Sequence, residues 1–152
     1  MKNWKMIRAK TSSKPYAIPI EMRPLWRICL VVISIAIVQN KEKKLDINKV
    51  NILIWMLIRK KSWEEYSKFL LKETTQPPFI SIDTMTYKAI EFSVAKEFIG
   101  IEGQKIFLTN NGWELFYLLE EHELFVLERE FLASYGKKIT VNMVKKITGG
   151  VY

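Results

Sequence analysis

Hydrophobic positions in the first half of the chain predict a buried central helix and a second helix after it. The segment Leu25–Val38 is apolar on every side of a helix, as core elements are, and Pro24 suits the first helical position. Beyond a polar loop, Asp46 is the expected N-cap of a helix that ends near Arg59. Apolar residues fall on one face of this helix at positions Val50, Leu53, Ile54, Leu57 and Ile58.

A third helix is predicted from Ser62, which forms a capping box with Glu65, to about Lys72. It carries an aromatic stripe made of Trp63, Tyr66 and Phe69. Apolar helical stripes usually face inward, which favours a place in the core. The functional alternative is that these three side chains anchor a partner protein.

The second half predicts a helix, a tight hairpin and three further helices. Asp83 or Thr84 would cap the first helix, before Gly100. Two β-prone pieces, Phe98–Ile101 and Lys105–Leu108, would pair through a turn at Glu102 and Gly103. The first of the last three helices is predicted from Trp113 to about Glu121, with Thr109 as its cap. The second is predicted over Glu123–Tyr135 and stops at Gly136, and the third runs from its cap at Thr140 to Ile147.

Two of these helices carry large apolar residues at helical spacing. In the helix before the hairpin they are Tyr87, Ile90, Val94 and Phe98, and in the helix before Gly136 they are Leu124, Leu127, Phe131 and Tyr135. The spacing predicts that each set lies on one side of its helix.

The elements predict a mainly α fold with a small β-hairpin, in which a helical N-terminal half precedes a winged-helix-like C-terminal half. We expect a basic extended arm over residues 1–22, a helical part over 23–73, and a winged-helix-like part with C-terminal helices over 79–148. The motif Leu108-Thr109-Asn110-Asn111-Gly112 resembles the segment that follows the wing in many such domains. Its leucine would fill the core, its threonine would cap the next helix, and its glycine would allow a close approach to the strand.

Composition argues against an enzyme or a metal site. The 152 residues suit one domain, or two very small modules that share a core. One cysteine, Cys29, and one histidine, His122, cannot supply a structural zinc site. No phosphate-binding loop or nucleophile elbow is present. We therefore expect no catalytic residues, no metal ligands and no cofactor.

The stretch Leu25–Val38 also raises the question of a membrane segment. It is 14 residues long and contains Arg27, whereas a spanning helix needs about 20 apolar residues. The length favours a buried core helix, and we expect a cytoplasmic protein with no membrane contact.

Basic residues are concentrated at the front of a chain whose net charge is +8. Residues 1–60 carry thirteen basic and three acidic groups, and residues 61–152 carry eleven basic and thirteen acidic groups. Non-specific nucleic-acid contact is therefore expected at the front, through the arm and through two clusters formed by Lys41, Lys43, Lys44 and by Arg59, Lys60, Lys61. The alternative is that such lysines solvate helix ends and complement the helix dipole.

The predicted reader helix of the winged-helix part, Met85–Phe98, carries Lys88 and Lys96 but also Glu91 and Glu97. A helix that enters a DNA groove needs positive charge and arginine or amide side chains for the bases. This near-neutral helix favours binding to protein. A stand-alone winged-helix DNA-binding transcriptional regulator is the alternative hypothesis.

Five segments in order over about residues 23–147 carry a family resemblance. They are Arg23-Pro24-Leu25-Trp26, Ala89-Ile90-Glu91-Phe92-Ser93-Val94-Ala95, Leu108-Thr109-Asn110-Asn111-Gly112, Glu128-Arg129-Glu130-Phe131-Leu132 and Gly136-Lys137-Lys138-Ile139-Thr140. Their succession resembles the middle components of three-component ABC systems, which are similar to the small subunit of Lamassu-type antiphage defence complexes. The resemblance implies a non-catalytic adaptor between an SMC-like ATPase and an effector of the nuclease type, and it does not extend to residues 1–20.

Overall fold

The computed structural model describes residues 23–81 and 83–147, and the predicted arm over residues 1–22 lies outside them. Across this part of the chain the fold is mainly helical, as predicted, with a small antiparallel sheet of three strands. The elements in chain order are α1 (Pro24–Val38), β1 (Leu45–Asp46), α2 (Ile47–Ile58), α3 (Trp63–Leu70), α4 (Thr84–Ala95), β2 (Ile99–Glu102), β3 (Lys105–Leu108), α5 (Asn110–Glu121), α6 (Val126–Tyr135) and α7 (Val141–Ile147).

Helix α1 is the centre of the molecule, as its uniform apolar character predicted. Pro24 is its first residue, where a missing amide hydrogen costs no hydrogen bond. Residues 27–35 and Val38 are buried, and α1 contacts α2, α4, α5 and α6. The described residues contain no helix that is both long enough and apolar enough to cross a membrane.

Helix α2 begins and packs as the sequence predicted. The side chain of Asp46 accepts a hydrogen bond from the Asn48 amide at 2.8 Å, and this satisfies one of the donors that a helix N-terminus leaves open. The predicted apolar face is in the core, with four of its residues buried and Ile58 half-buried.

The predicted capping box at the start of α3 is wrong. Ser62 belongs to a 3-10 turn over Lys60–Ser62, and its side chain makes no capping hydrogen bond. Its backbone amide donates instead to the Arg59 carbonyl at 2.9 Å. The chain therefore passes from α2 through this turn directly into Trp63, and Ser62 lacks the extended backbone that a capping residue needs.

The sheet has the order β1-β3-β2, so the predicted hairpin is joined by a strand that the sequence did not predict. The hairpin turn consists of Gly103 and Gln104, one residue later than predicted. Gly103 has a φ of 64°, which a glycine adopts without strain. On the other edge of β3, Leu45 pairs with Ile106. One face of the sheet is buried and the opposite face is largely polar.

The motif that follows the hairpin has the contacts that its residue types predicted. Leu108 is buried, and the hydroxyl of Thr109 accepts a hydrogen bond from the Gly112 amide at 3.2 Å. The same hydroxyl donates to the carbonyl of Glu97. A side chain at position 112 would collide with the carbonyl of Phe98, so glycine is what lets α5 approach the start of β2. Helix α5 begins at Asn110, three residues before the predicted start.

The helix predicted over Glu123–Tyr135 begins three residues later than expected. Glu123 and Phe125 have positive φ angles of 53° and 59°, which interrupts helical geometry until Val126. The α-helix ends at Tyr135, as predicted, and Gly136, which has right-handed helical angles, begins a 3-10 turn.

The two parts predicted over residues 23–73 and 79–148 share one core. Strand β1 comes from the first and pairs with β3 of the second. The indole of Trp63 stacks on the ring of Phe131 with centroids 4.6 Å apart. The central helix α1 contacts elements of both parts.

Candidate protein-docking surface

Helix α4 packs against the core through small and polar side chains. The residues that it buries are Thr86, Ala89, Ile90 and Ser93. The hydroxyl of Ser93 donates to the Ala89 carbonyl at 2.7 Å, so it needs no partner across the interface. Of the apolar residues noted at helical spacing, Ile90 is buried, whereas Tyr87 and Val94 are exposed.

The outward face of α4 exposes two aromatic rings. The exposed fractions are 47% for Phe92, 39% for Tyr87 and 38% for Val94. Lys88 and Glu91 lie exposed on the same helix and balance each other in charge. We call these five residues the α4 face. A face with apolar anchors and no net charge suits a polypeptide surface better than a phosphate backbone.

An ion pair between a buried arginine and a partly buried aspartate holds α4 against α1. Arg27 Nη1 lies 2.8 Å from Asp83 Oδ2 and donates to Thr86 Oγ1 at 3.0 Å. The other carboxylate oxygen of Asp83 accepts from the Met85 amide at 2.9 Å and caps the helix. The sequence left Asp83 and Thr84 as alternative caps, of which Asp83 is the one observed, and it did not predict the pair with Arg27. The charge within an otherwise apolar helix was the available signal, since buried charges are usually paired.

A cleft of about 560 Å³ borders the α4 face. Its walls include Tyr87 of α4, Asn48 and Lys49 of α2, Gln104 of the hairpin turn and Val141 of α7. Val141 is 66% exposed. The cleft thus extends the apolar surface of Tyr87 towards α7 and adds polar side chains at its edge.

The aromatic residues predicted as partner anchors lie mainly in the core. Tyr66 and Phe69 are 3% and 4% exposed. Trp63 is half-buried, and its indole nitrogen donates to the Met56 carbonyl at 2.7 Å. In this structure Tyr66 and Phe69 offer no exposed ring to a partner, which supports the core alternative.

The first lysine cluster is only partly free for nucleic acid. Lys41 and Lys43 are exposed, whereas Lys44 Nζ lies 2.8 Å from Glu102 Oε2 at the hairpin. This hydrogen bond raises the pKa of Lys44 and lowers the pKa of Glu102. Lys44 therefore ties the loop before β1 to the hairpin.

The second cluster is likewise engaged with the protein. The guanidinium carbon of Arg59 lies 3.2 Å from the ring centroid of Trp55. Lys60 Nζ lies 3.0 Å from Glu128 Oε2, and the Glu128 side chain is 7% exposed. Lys61 is exposed. Of the six predicted residues, Arg59, Lys60 and Lys44 make contacts within the protein, and contact with nucleic acid stays a prediction for all six.

The two residues considered for chemistry occupy ordinary positions. Cys29 is buried in α1, and burial raises the pKa of its thiol to about 11. His122 is exposed just after α5, at the predicted helix junction. In residues 23–81 and 83–147, no group of three histidine, cysteine or acidic side chains is placed to hold a metal ion.

Comparison with known proteins assigns the chain to no family. No protein-family model, curated protein or solved structure matches it. The resemblance to middle components and to Lamassu small subunits therefore stays a prediction from the five sequence segments.

Proposed function

We propose that this chain is a non-catalytic accessory subunit that binds another protein through the α4 face. The observation that carries the proposal is the exposure of Phe92 and Tyr87 on a helix without net charge. Aromatic side chains are enriched among the residues that contribute most to protein interfaces. The anchoring of α4 by Arg27 and Asp83 adds support, since a face held in one place loses less entropy on binding.

The order of elements supports a winged-helix-like module. A helix, a short strand and a second helix precede α4, and a hairpin follows it, with the strands in the order β1-β3-β2. In such modules the helix at the position of α4 is the one that enters a DNA groove. Helix α3 and the segment 71–83 are inserted before α4 and are a departure from the simplest arrangement.

The proposed setting is an antiphage defence complex, in which the chain bridges an SMC-like ATPase and an effector nuclease. This part rests on the resemblance of the five segments to Lamassu-type small subunits. ATP hydrolysis and nucleic-acid cleavage are assigned to the partners. The chain itself would supply surface and no chemistry.

Co-elution with the products of the neighbouring operon genes tests the proposal. On size-exclusion chromatography, we expect the wild-type chain to elute at a larger apparent size when it is mixed with an ATPase that contains long coiled coils. Phe92→Lys should weaken this complex at least tenfold, because a charge would be buried in an apolar contact. Leu71→Lys is the matched control, since Leu71 is 45% exposed outside α4. Elution of the wild-type chain alone at every salt concentration would refute the proposal.

A stand-alone DNA-binding regulator is the second candidate, favoured by the sheet order and by the exposed Lys41 and Lys43 beside β1. It predicts a dimer and a sequence-specific footprint on the chain's own promoter. Fluorescence anisotropy with promoter and scrambled duplexes separates the two candidates. Equal affinities that fall steeply with salt would exclude specific reading of DNA.

A further inference from the structure

The corner between α5 and α6 exposes five large apolar side chains. Tyr117 and Leu118 lie on α5, Leu124 lies at the junction, and Val126 and Leu127 begin α6. Their exposed fractions range from 42% to 57%. We call these five residues the corner surface. Exposed apolar residues clustered in this way mark sites of interaction in soluble proteins.

Hydrogen bonds fix the corner surface in place. The Leu124 amide donates to the Leu119 carbonyl at 2.9 Å, and the Leu124 carbonyl accepts from Arg129 Nε at 3.0 Å. The left-handed angles at Glu123 and Phe125 turn the chain between the two helices. Leu124 is therefore held outside the core, although its sequence spacing predicted the same side as Phe131.

Acidic residues surround the corner surface. Residues 110–127 contain no lysine or arginine and four glutamates, all exposed, at positions Glu114, Glu120, Glu121 and Glu123. Among the described residues none of the four forms an ion pair. Arg129, whose Nε donates to the Leu124 carbonyl, is balanced by the exposed Glu130, so in a chain of net charge +8 this region stays negative. Its charge therefore complements a basic segment that also carries apolar side chains.

The beginning of α1 lies beside the corner surface. The rings of Trp26 and Phe125 approach with centroids 6.4 Å apart. Leu25, in the first turn, is 65% exposed. The chain that precedes α1 thus enters the described fold next to the acidic corner.

The sequence before α1 has the matching chemistry. Residues 1–20 contain five basic groups and no acidic group. The same segment carries the apolar residues Trp4, Met6 and Ile7. Twelve residues lie between position 10 and Arg23. An extended chain spans about 3.3–3.6 Å per residue, so the reach exceeds the length of α5. A tether of this length also gives a high effective concentration.

We infer that the corner surface binds residues 1–20 of the same chain, with the apolar side chains of this segment on Tyr117, Leu118 and Leu127 and its basic groups beside Glu120, Glu121 and Glu123. The contact is intramolecular and does not depend on the proposed function. It directs the positive charge of the front of the chain onto the protein itself.

Paramagnetic relaxation in the full-length chain tests this inference. A nitroxide is attached after Lys5→Cys, and Cys29 resists labelling because it is buried. We expect the amide signals of residues 117–127 to broaden most strongly. Raising the salt concentration to about 1 M should remove most of the broadening, because charge interactions are then screened beyond about 3 Å.

Charge reversal provides the second arm and its control. The triple variant Glu120→Lys, Glu121→Lys, Glu123→Lys should abolish the broadening at the corner. The matched triple variant Glu64→Lys, Glu65→Lys, Glu73→Lys reverses three exposed acids outside the corner and should leave the broadening unchanged. Uniform broadening, or broadening strongest elsewhere, would overturn the inference. Broadening that appears only when labelled chains are mixed with separate ¹⁵N chains would assign the contact to a second copy and would also overturn it.

Discussion

At the scale of single residues, Arg27 and Asp83 decide how α4 sits on the core. Arg27 is 5% exposed in the central helix, and its guanidinium donates to the carboxylate of Asp83 and to the hydroxyl of Thr86. Asp83 both contacts Arg27 and caps α4. Because this contact positions the α4 face, a substitution of Asp83 should change the position of the proposed docking surface, although Asp83 is not part of that surface.

Asp83→Ala should lower the free energy of unfolding by roughly 2–4 kcal/mol, because it removes both a charge-assisted hydrogen bond to the guanidinium and the cap of α4. Asp46→Ala is the matched control, since Asp46 caps α2 with no buried arginine beside it, and it should cost about 1 kcal/mol. Urea unfolding followed by circular dichroism measures both. Equal losses for the two aspartate variants would contradict this role of Asp83.

At the scale of elements, the contact between α5 and β2 depends on the absence of a side chain at position 112. Gly112→Ala should lower the free energy of unfolding by roughly 1–3 kcal/mol, because backbone must move to admit the methyl group. A methyl group at position 103 would contact no other atom, so Gly103→Ala should lower the free energy of unfolding only by the strain of a positive φ, about 1–2 kcal/mol. Asparagine distinguishes the two positions. Gly103→Asn should be more stable than Gly103→Ala, since asparagine tolerates a positive φ. Gly112→Asn should be less stable than Gly112→Ala, because its side chain is larger. Thermal unfolding orders the four variants.

The elements also show what a sequence can predict without a structure. The caps at Asp46, Asp83, Thr109 and Thr140 were all predicted, because each bonds an amide two or three residues away. Strand β1 was missed because its two residues take their partners from Ile106 and Lys105, about sixty positions further along the chain. The exposed sides of α4 and α6 were missed for a related reason. Which stripe faces inward depends on the neighbour, and a small-residue stripe on α4 fits closely against α1.

At the scale of the whole molecule, several contacts join the parts that the sequence divided at residues 73–79. They include the pairing of β1 with β3, the stack of Trp63 on Phe131, and the ion pair of Lys60 with Glu128. Helix α1 belongs to the first part, and α4, α5 and α6 of the second part pack against it. The first part alone would leave that side of α1 exposed, so the two parts form one core.

The chain should therefore unfold as a single cooperative unit. Labelling with 5-fluorotryptophan gives one reporter in α2, Trp55, and one in α5, Trp113, without any substitution of the core. We expect both ¹⁹F signals to lose their folded intensity at the same urea concentration and with the same m-value, because breaking either part exposes α1. A midpoint for Trp113 well separated from that for Trp55 would instead mean that the hairpin and its helices form a core of their own. In that case the ion pair of Arg27 and Asp83, which joins the two parts, would break in the first transition. Asp83→Ala would then shift the midpoint of that transition only.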